Sequence, residues 1–494
     1  MNRINHPIAE KKLMSAEEAA LLVQDGMNVI TSGFTPSGYP KAVPLALAKR
    51  VESGERIKIN LFTGASVGDE LDGALTRAGA ISRRTPYQTH RDMRKAINEQ
   101  KIAFSDVHLS LLPQQIENGF YGEMDIAIVE ALAILEDGSI IPTTSVGISP
   151  TALSVAKQVI VEVNHAQPEA LEGLHDIYMI EKYPARKEIP IYQVHDRIGS
   201  IAMPCDPQKI VAVVETEIPD DLRVLAEVDD VSQRISQHLI RFFEKEVALG
   251  RLSEQLLPLQ SGVGSVSNAV LLGLEASRFE QLSVYSEVIQ DCVFRLIETG
   301  KVIFSSGASF TPSLSKRKWL HDHLKDLKNH CVLRPMAIAN HPEIIRRLGV
   351  IAMNTALEAD IYGHVNSTHV AGSRLMNGIG GSGDFARNAH LSIFTGPSTA
   401  MGGKISSIVP MVSHVDHTEH DVHILVTEQG VADLRGLAPI ERAVAVIENC
   451  AHPHFRSRLH DYLQRALSHP GGHQPHLLEE ALSWHARFLK EGSM

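Results

Sequence analysis

Leu282-Ser283-Val284-Tyr285-Ser286-Glu287-Val288-Ile289-Gln290-Asp291 changes character halfway along. Leu282 to Tyr285 is an apolar, β-prone run that stops at Ser286. Beyond it Val288, Ile289, Cys292, Val293, Leu296 and Ile297 recur at i, i+3/i+4, with Gln290, Asp291, Arg295 and Glu298 between them. That spacing predicts an amphipathic helix, stopped at Gly300. A strand that turns into a helix is the building unit of an open α/β sheet, and ligands bind at such junctions. Ser286 stands where an N-cap would, which sets Glu287 in the first helical turn. A carboxylate there faces free N–H groups and the positive end of the helix dipole, so it is expected to be ionised. An acidic first-turn residue also serves the helix alone, and these ten residues leave both readings open.

The same alternation runs upstream. Ser15 and Glu18 form a capping box for a helix over Ser15 to Gly26. Met27 to Thr31 reads as a strand ending in the loop Gly33-Phe34-Thr35-Pro36-Ser37-Gly38-Tyr39-Pro40, with a helix from Ala42 to Val51. Ile57 to Phe62 reads as the next strand, ending in Thr63-Gly64-Ala65-Ser66-Val67-Gly68, and further strands are expected at Met124 to Glu130, Val159 to Val163 and Ile210 to Val214. Strand–loop–helix repetition predicts mainly parallel sheets covered by helices, an α/β protein. A long amphipathic helix over Ser232 to Leu249 follows a polar stretch, which places a domain boundary near 220–232 and divides the chain into 1–225 and 226–494. The second half repeats the first: Leu257 to Val270 is a glycine loop entering a helix, as at Gly33 to Pro44, and an internal duplication would explain two similar α/β domains. The tail from Ala451 reads as helices, with loop material at His469-Pro470-Gly471-Gly472.

Composition narrows the function classes. The chain has 494 residues, 44% hydrophobic and 21% charged, which is ordinary globular usage. A net charge of −11 without a Lys/Arg-rich block argues against a nucleic-acid partner. The four cysteines are scattered and form no CxxC pair, so neither a zinc ribbon nor a disulfide framework is indicated. Met1-Asn2-Arg3-Ile4-Asn5-His6-Pro7 lacks an apolar leader core, and no long apolar run follows; a soluble, cytoplasmic protein away from the membrane is expected.

Four motifs need weighing. Gly378-x-Gly380-x-x-Gly383 matches the dinucleotide fingerprint by letters, but no convincing strand precedes it and 396–408 holds no Asp or Glu. It reads instead as a loop whose N–H groups can meet an anion or oxyanion, or as a tight turn. Gly64-Ala65-Ser66-Val67-Gly68 matches a nucleophile elbow, yet a hydrolase sheet would need several strands before it; a wall of the substrate site fits better. His414-Val415-Asp416-His417-Thr418-Glu419-His420 has spacings that could chelate zinc. No further Cys/His set is clearly paired with it, and a polar, hydrogen-bonded turn is the plainer reading; no metal site is expected. Glu428, in Thr427-Glu428-Gln429-Gly430, ends the strand Val422 to Val426 and offers a second carboxylate, or a solvated loop residue.

Taken together, Gly262-Val263-Gly264-Ser265-Val266-Ser267-Asn268-Ala269, Tyr285-Ser286-Glu287-Val288, Asn366-Ser367-Thr368-His369-Val370, Asn377 to Phe385 and Thr427 to Gly436 resemble the acetyl-CoA hydrolase/transferase family of class I CoA-transferases. The likeness runs over nearly the whole chain from Ser32-Gly33-Phe34-Thr35-Pro36, and is nearest to bacterial succinate CoA-transferases. It implies two CoA-transferase-type α/β domains with the active site between them, and a homodimer. It makes Glu287 the nucleophile that carries a glutamyl-CoA thioester, Asn340 and the Gly381 N–H the oxyanion donors, and Glu428 a neighbour of the reacting centre. It places coenzyme A contacts at Gly262, Val263, Gly264, Ser265, Val266, Asn377 and Gly381 and on a downstream lysine. Relatives often read Ala-Lys-Glu-Gly-Lys-Ile-Ser where this chain has Ala400-Met401-Gly402-Gly403-Lys404-Ile405-Ser406, so Lys404 is the lysine that remains.

That resemblance predicts CoA transfer between an acyl-CoA and a small carboxylate such as succinate, propionate or acetate. Coenzyme A is then substrate and covalent intermediate, with no permanently bound cofactor. A positioned carboxylate can form such a covalent acyl intermediate. Two alternatives remain: an acetyl-CoA hydrolase on the same fold, and a non-catalytic acyl-CoA sensor.

Overall fold

A computed structural model describes residues 3–222, 227–469 and 471–494. The expected boundary at 225/226, the first two residues of the N-terminal stretch and Pro470 of the expected tail loop lie outside the described residues. The chain forms two compact units. The first is Met1–Leu225 with Val284–Ile297 and Ile303–Leu348; the second is Ala226–Ser283 with Glu298–Val302 and Gly349–Met494. Glu287, expected in the domain 226–494, thus belongs to the first unit. The chain crosses from one unit to the other within the strand Leu282–Tyr285.

The first unit holds a seven-stranded sheet in the order Ala103–Phe104, Ile81–Thr85, Ile59–Phe62, Asn28–Thr31, Ile126–Ala131, Gln158–Asn164, Ile210–Thr216. All its pairings are parallel. The apolar runs at its centre are buried on both faces, as parallel strands require: Ile126–Ala131 shows no exposed position. Helix Ala42–Glu52 covers it through Val43, Ala46, Leu47 and Ala48. Strand order reverses between Asn28–Thr31 and Ile126–Ala131, and the loop Ser32 to Lys41 leaves the sheet at that point.

Beneath that loop lies a buried charge cluster. Lys41 Nζ sits 2.5 Å from Glu130 Oε2 and 2.9 Å from Asp220 Oδ1, and its side chain is 0% exposed. Thr143 Oγ1 and Asn164 Nδ2 donate to Glu130 at 2.6 and 2.8 Å, and Thr144 Oγ1 donates to Asp220 at 2.7 Å. Burial would push the Lys41 ammonium down, but Asp220 and Glu130 outweigh it and hold it charged. Glu162 receives the N–H groups of Lys41, Ala42 and Val43, anchoring the start of the helix.

In the second unit the strands run Leu259–Ser261, Ile351–Thr355, Leu391–Thr395, Ile424–Thr427, Gly430–Asp433. The first three pairings are parallel and the last is an antiparallel hairpin. The expected long helix is Asp230–Ala248, capped by the Asp229 carboxylate, and Ile235, Leu239 and Phe243 on its buried face are 0% exposed.

Candidate active site

The helix expected from Glu287 starts later. Val288–Gln290 is a short strand, paired in parallel with Ser309–Thr311, and the helix runs Asp291–Glu298. Val288 and Ile289 fit both periods, and the partner strand some twenty residues on decides between them. Glu287 therefore sits between two strands, not in a first helical turn, and Ser286 caps no helix around it. Its backbone is fixed instead by a sheet-like ladder: Ser286 N–H donates to Ser306 O (3.0 Å), and Glu287 O accepts from Ala308 N–H (2.7 Å) and Ser309 N–H (3.2 Å).

The expected helix dipole is thus missing at this carboxylate, and the electrostatic outcome reverses. Burial pushes the Glu287 carboxyl up to about 7, against a hydrogen bond that pulls it down. That bond comes from Asn340 Nδ2, 2.9 Å from Glu287 Oε1. Asn340 is 0% exposed and ends the one-turn helix Met336–Ala339. The first unit thereby brings together the two residues expected to be nucleophile and oxyanion donor. It adds a group the motifs did not single out: Thr35 Oγ1 lies 2.9 Å from both Ser309 Oγ and Thr311 Oγ1, on the strand beside Glu287. Thr35 has φ +50°, strained for a β-branched residue, and such strain collects at functional sites.

The second unit holds the remaining expected residues. Gly262-Val263-Gly264 links the strand Leu259–Ser261 to the helix Ser265–Ala276, so Ser265 and Val266 lie in its first turn. Gly264 has φ +126°, which calls for glycine, while a Cβ there would meet nothing within 4 Å. The twelve-residue helix starts at this loop on Gly264, which supplies no side-chain cap, and a helix N-terminus is suited to an anion. Asn377 Oδ1 accepts from Gly378 N–H (2.9 Å), and Gly378 and Gly380 take positive φ. Buried Gly381 caps the helix Ser382–Asn388. Arg374–Leu375 before this loop pairs only in an antiparallel hairpin with His369–Val370, which leaves the dinucleotide fingerprint without its parallel strand. Lys404 is exposed on the turn between Thr399–Ala400 and Ile405–Ser406.

Glu428 is held firmly. Ser398 N–H donates to its Oε2 (2.8 Å), Ser398 Oγ to its Oε1, and Gln429 Nε2 also to Oε1 (2.8 Å). Burial pushes this carboxyl up, but the Ser398 and Gln429 bonds outweigh it and keep it below the usual carboxylate range. The two carboxyls are thus shifted in opposite directions, each by its own surroundings. Ser398, thirty residues before Glu428, has no local sequence signal that ties it to that residue.

The histidine-rich run is spent on structure. His414 pairs with Asp416 (3.2 Å), which also accepts from Ser367 and Thr368, and Glu419 pairs with His364 at 2.7 Å. His417 is buried against the Phe394 ring. Among the described residues no three His, Cys, Asp or Glu side chains gather in a way that could hold a metal ion. Ser66 is buried in a loop that Arg84 Nη2 ties down through Ala65 O (3.0 Å).

Known proteins resemble this chain along its length. The acetyl-CoA hydrolase/transferase N-terminal domain matches residues 5–215 and the corresponding C-terminal domain residues 317–463. A succinyl-CoA:acetate CoA-transferase of Clostridium kluyveri is 54% identical, over 100% of this chain and 92% of its own. A propanoyl-CoA:succinate CoA transferase of Escherichia coli is 47% identical over 97% and 98%. An acetyl-CoA hydrolase of Saccharomyces cerevisiae is 44% identical over 100% and 97%. A solved 4-hydroxybutyrate CoA-transferase of Porphyromonas gingivalis shares the fold at TM-score 0.63 and 22% identity, covering 92% of this chain and 98% of its own. With two domain models matched in order and full-length relatives at this identity, the chain belongs to the acetyl-CoA hydrolase/transferase family.

Proposed function

We propose that the protein is a CoA-transferase that moves coenzyme A between a succinyl-, propionyl- or acetyl-CoA and a small carboxylate. The observation that carries this reading is the Asn340 amide on the Glu287 carboxylate, in surroundings that bring that carboxyl to about 7. At neutral pH a large share of Glu287 is ionised and, being poorly solvated, reactive. Its oxygen attacks the acyl carbonyl carbon, the C–S bond breaks, and coenzyme A leaves as thiolate, giving an acyl-glutamyl anhydride. The thiolate then attacks the Glu287 carbonyl carbon, the first carboxylate departs, and glutamyl-CoA remains. An acceptor carboxylate runs the same steps backwards.

When the thiolate attacks, the negative charge gathers on the Glu287 oxygen, and Asn340 Nδ2 is already 2.9 Å from one such oxygen. A preorganised donor of this kind is worth about 3–4 kcal/mol in the transition state. The Gly381 N–H as second donor and Glu428 beside the reaction rest on the resemblance of their motifs. So do coenzyme A contacts at Gly262 to Val266, Asn377 and Lys404, which the helix N-terminus at Ser265 also supports. No metal or resident cofactor enters this chemistry. A homodimer is what the resemblance implies, and a cytoplasmic location stays an expectation of the sequence; among the described residues no helix is long and apolar enough to cross a membrane.

Glu287→Ala is expected to abolish transfer, and hydroxylamine added with acyl-CoA is expected to modify Glu287 alone. Full activity in that variant, or labelling elsewhere, overturns the assignment. A second reading, acetyl-CoA hydrolysis, is favoured by the 44% identity to the yeast hydrolase. Acyl-CoA consumption measured with and without a carboxylate acceptor separates the two: a transferase depends on the acceptor.

A further inference from the structure

Two hydrogen bonds join the same two segments on either side of the proposed nucleophile. Tyr285 Oη donates to Ile338 O at 2.7 Å, and Asn340 Nδ2 donates to Glu287 Oε1 at 2.9 Å. Glu287 follows Tyr285 by two residues, and Asn340 follows Ile338 by two. The bonds and the intervening backbone close a ring, with Tyr285 and Asn340 both 0% exposed.

The ring matters because the segment carrying Asn340 is short and is joined through it to the segment carrying Glu287. Met336–Ala339 is a single turn of four residues, far below the length at which a helix is stable alone. Its entry is fixed by Met336 N–H on Gly147 O (2.9 Å). The ladder through Ser306, Ala308 and Ser309 fixes the Glu287 backbone but does not reach Asn340. The Tyr285 hydroxyl links the two segments at Ile338 O, which also accepts from His341 N–H (3.0 Å).

We propose that Tyr285 is a positioning residue for the transfer chemistry, holding the Ile338 peptide so that the Asn340 amide stays on the reacting carboxyl. It acts through Asn340 and touches no substrate atom. The proposal rests on the reading of Glu287 as nucleophile.

The charged groups around the ring come from several elements. Arg334 faces Tyr285 and is held by Asp176, Ser306 Oγ and the carbonyls of Val194 and Asp196. His341, next to Asn340, is pushed down by burial and feels Glu343, Arg186 and Arg347. The Glu287 carboxyl itself answers to burial and to the Asn340 amide. Loosening Asn340 removes the influence that lowers it, so its titration moves up.

The test is Tyr285→Phe, which deletes one oxygen and keeps the ring in place, assayed from about pH 5.5 to about pH 8.5. We expect kcat to fall about tenfold, part of the loss a missing oxyanion donor causes. KM for acyl-CoA should stay within about twofold, and the acid limb of the rate profile should move to higher pH. In an Asn340→Ala background the same substitution should add almost nothing, since both changes remove one device. A lowered Tm with kcat and acid limb as in the wild type marks a merely structural tyrosine and overturns the proposal. So does a full additional loss in the Asn340→Ala background. Hydroxylamine labelling of the wild type keeps the two readings apart. If Glu287 labels and Tyr285→Phe behaves as wild type, only the positioning role fails; if Glu287 does not label, the nucleophile reading fails first.

Discussion

Replacing Lys41 with methionine leaves a side chain of similar length and removes the ammonium paired with Glu130 and Asp220. Lys41 is 0% exposed, with contacts of 2.5 Å to Glu130 and 2.9 Å to Asp220. What remains for the carboxylates is neutral: Thr143 and Asn164 on Glu130, Thr144 and Gln167 on Asp220. Breaking a buried ion pair from one side costs about 3–5 kcal/mol, because the partner charge stays behind uncompensated. The cost must depend on pH. Burial raises the Glu130 carboxyl to about 7, with Lys41 pulling it down and Asp220 pushing it up, so losing Lys41 sends it higher. A group raised in the folded state stabilises at low pH and loses that contribution as pH climbs through its folded value. Near pH 6 a proton can stand in for the lysine at little cost; toward pH 8.5 that proton becomes steadily more costly to hold. The penalty should therefore grow above about pH 7, by up to about 1.4 kcal/mol for each pH unit in which the variant's folded Glu130 keeps a proton that the wild type has lost. Urea unfolding followed by circular dichroism at the two pH values measures it. A penalty below about 1 kcal/mol, or one equal at both pH values, refutes the reasoning.

The remaining predictions concern Glu287. Because only the ionised carboxyl attacks, kcat/KM for the acyl donor is expected to rise as pH increases through about 7; a flat profile across that range would contradict the burial-driven shift. The same shift makes the ionised nucleophile a burden on the fold. Glu287→Gln, inactive in transfer, is expected to be more stable than the wild type above pH 7, by up to about 3 kcal/mol, with the gain fading toward pH 4.5. Thermal unfolding at several pH values reads this directly, and a variant less stable than wild type at pH 8 would show that the amide loses more in hydrogen bonding than it gains in charge.

The strand–loop–helix rhythm was legible because it is local: Asn28–Thr31 into Ala42–Glu52 is written in apolar runs and turn residues. Glu287 was legible as a chemical residue through its motif, but its surroundings were misread. Val288 and Ile289 satisfy a helical and an extended pattern alike, and the strand Ser309–Thr311 that settles the matter lies beyond any local window. The same distance hid Ser398 from Glu428 and Thr35 from Ser309, contacts 30 and 274 residues apart along the chain. Asn340 carried no pattern of its own in a stretch that folds as one turn of helix. Side-chain partnerships made by tertiary structure leave no periodicity to read.

The division of the chain has a consequence for how the protein is made. The first unit contains Val284–Ile297 and Ile303–Leu348, so it is not complete when residue 225 leaves the ribosome. Bridges such as Ser145 to Ser309, Gly147 to Pro335 and His175 to Leu333 wait until more than 150 residues beyond the first partner have been translated. Throughout that interval the loop backbone at Ser145, Gly147 and His175 lacks the partners it has in the finished fold, and incompletely packed nascent chains are prone to associate wrongly or recruit chaperones. Glu287, the proposed nucleophile, arrives with one of the late segments, so a chain released early would lack both these bridges and the proposed chemistry.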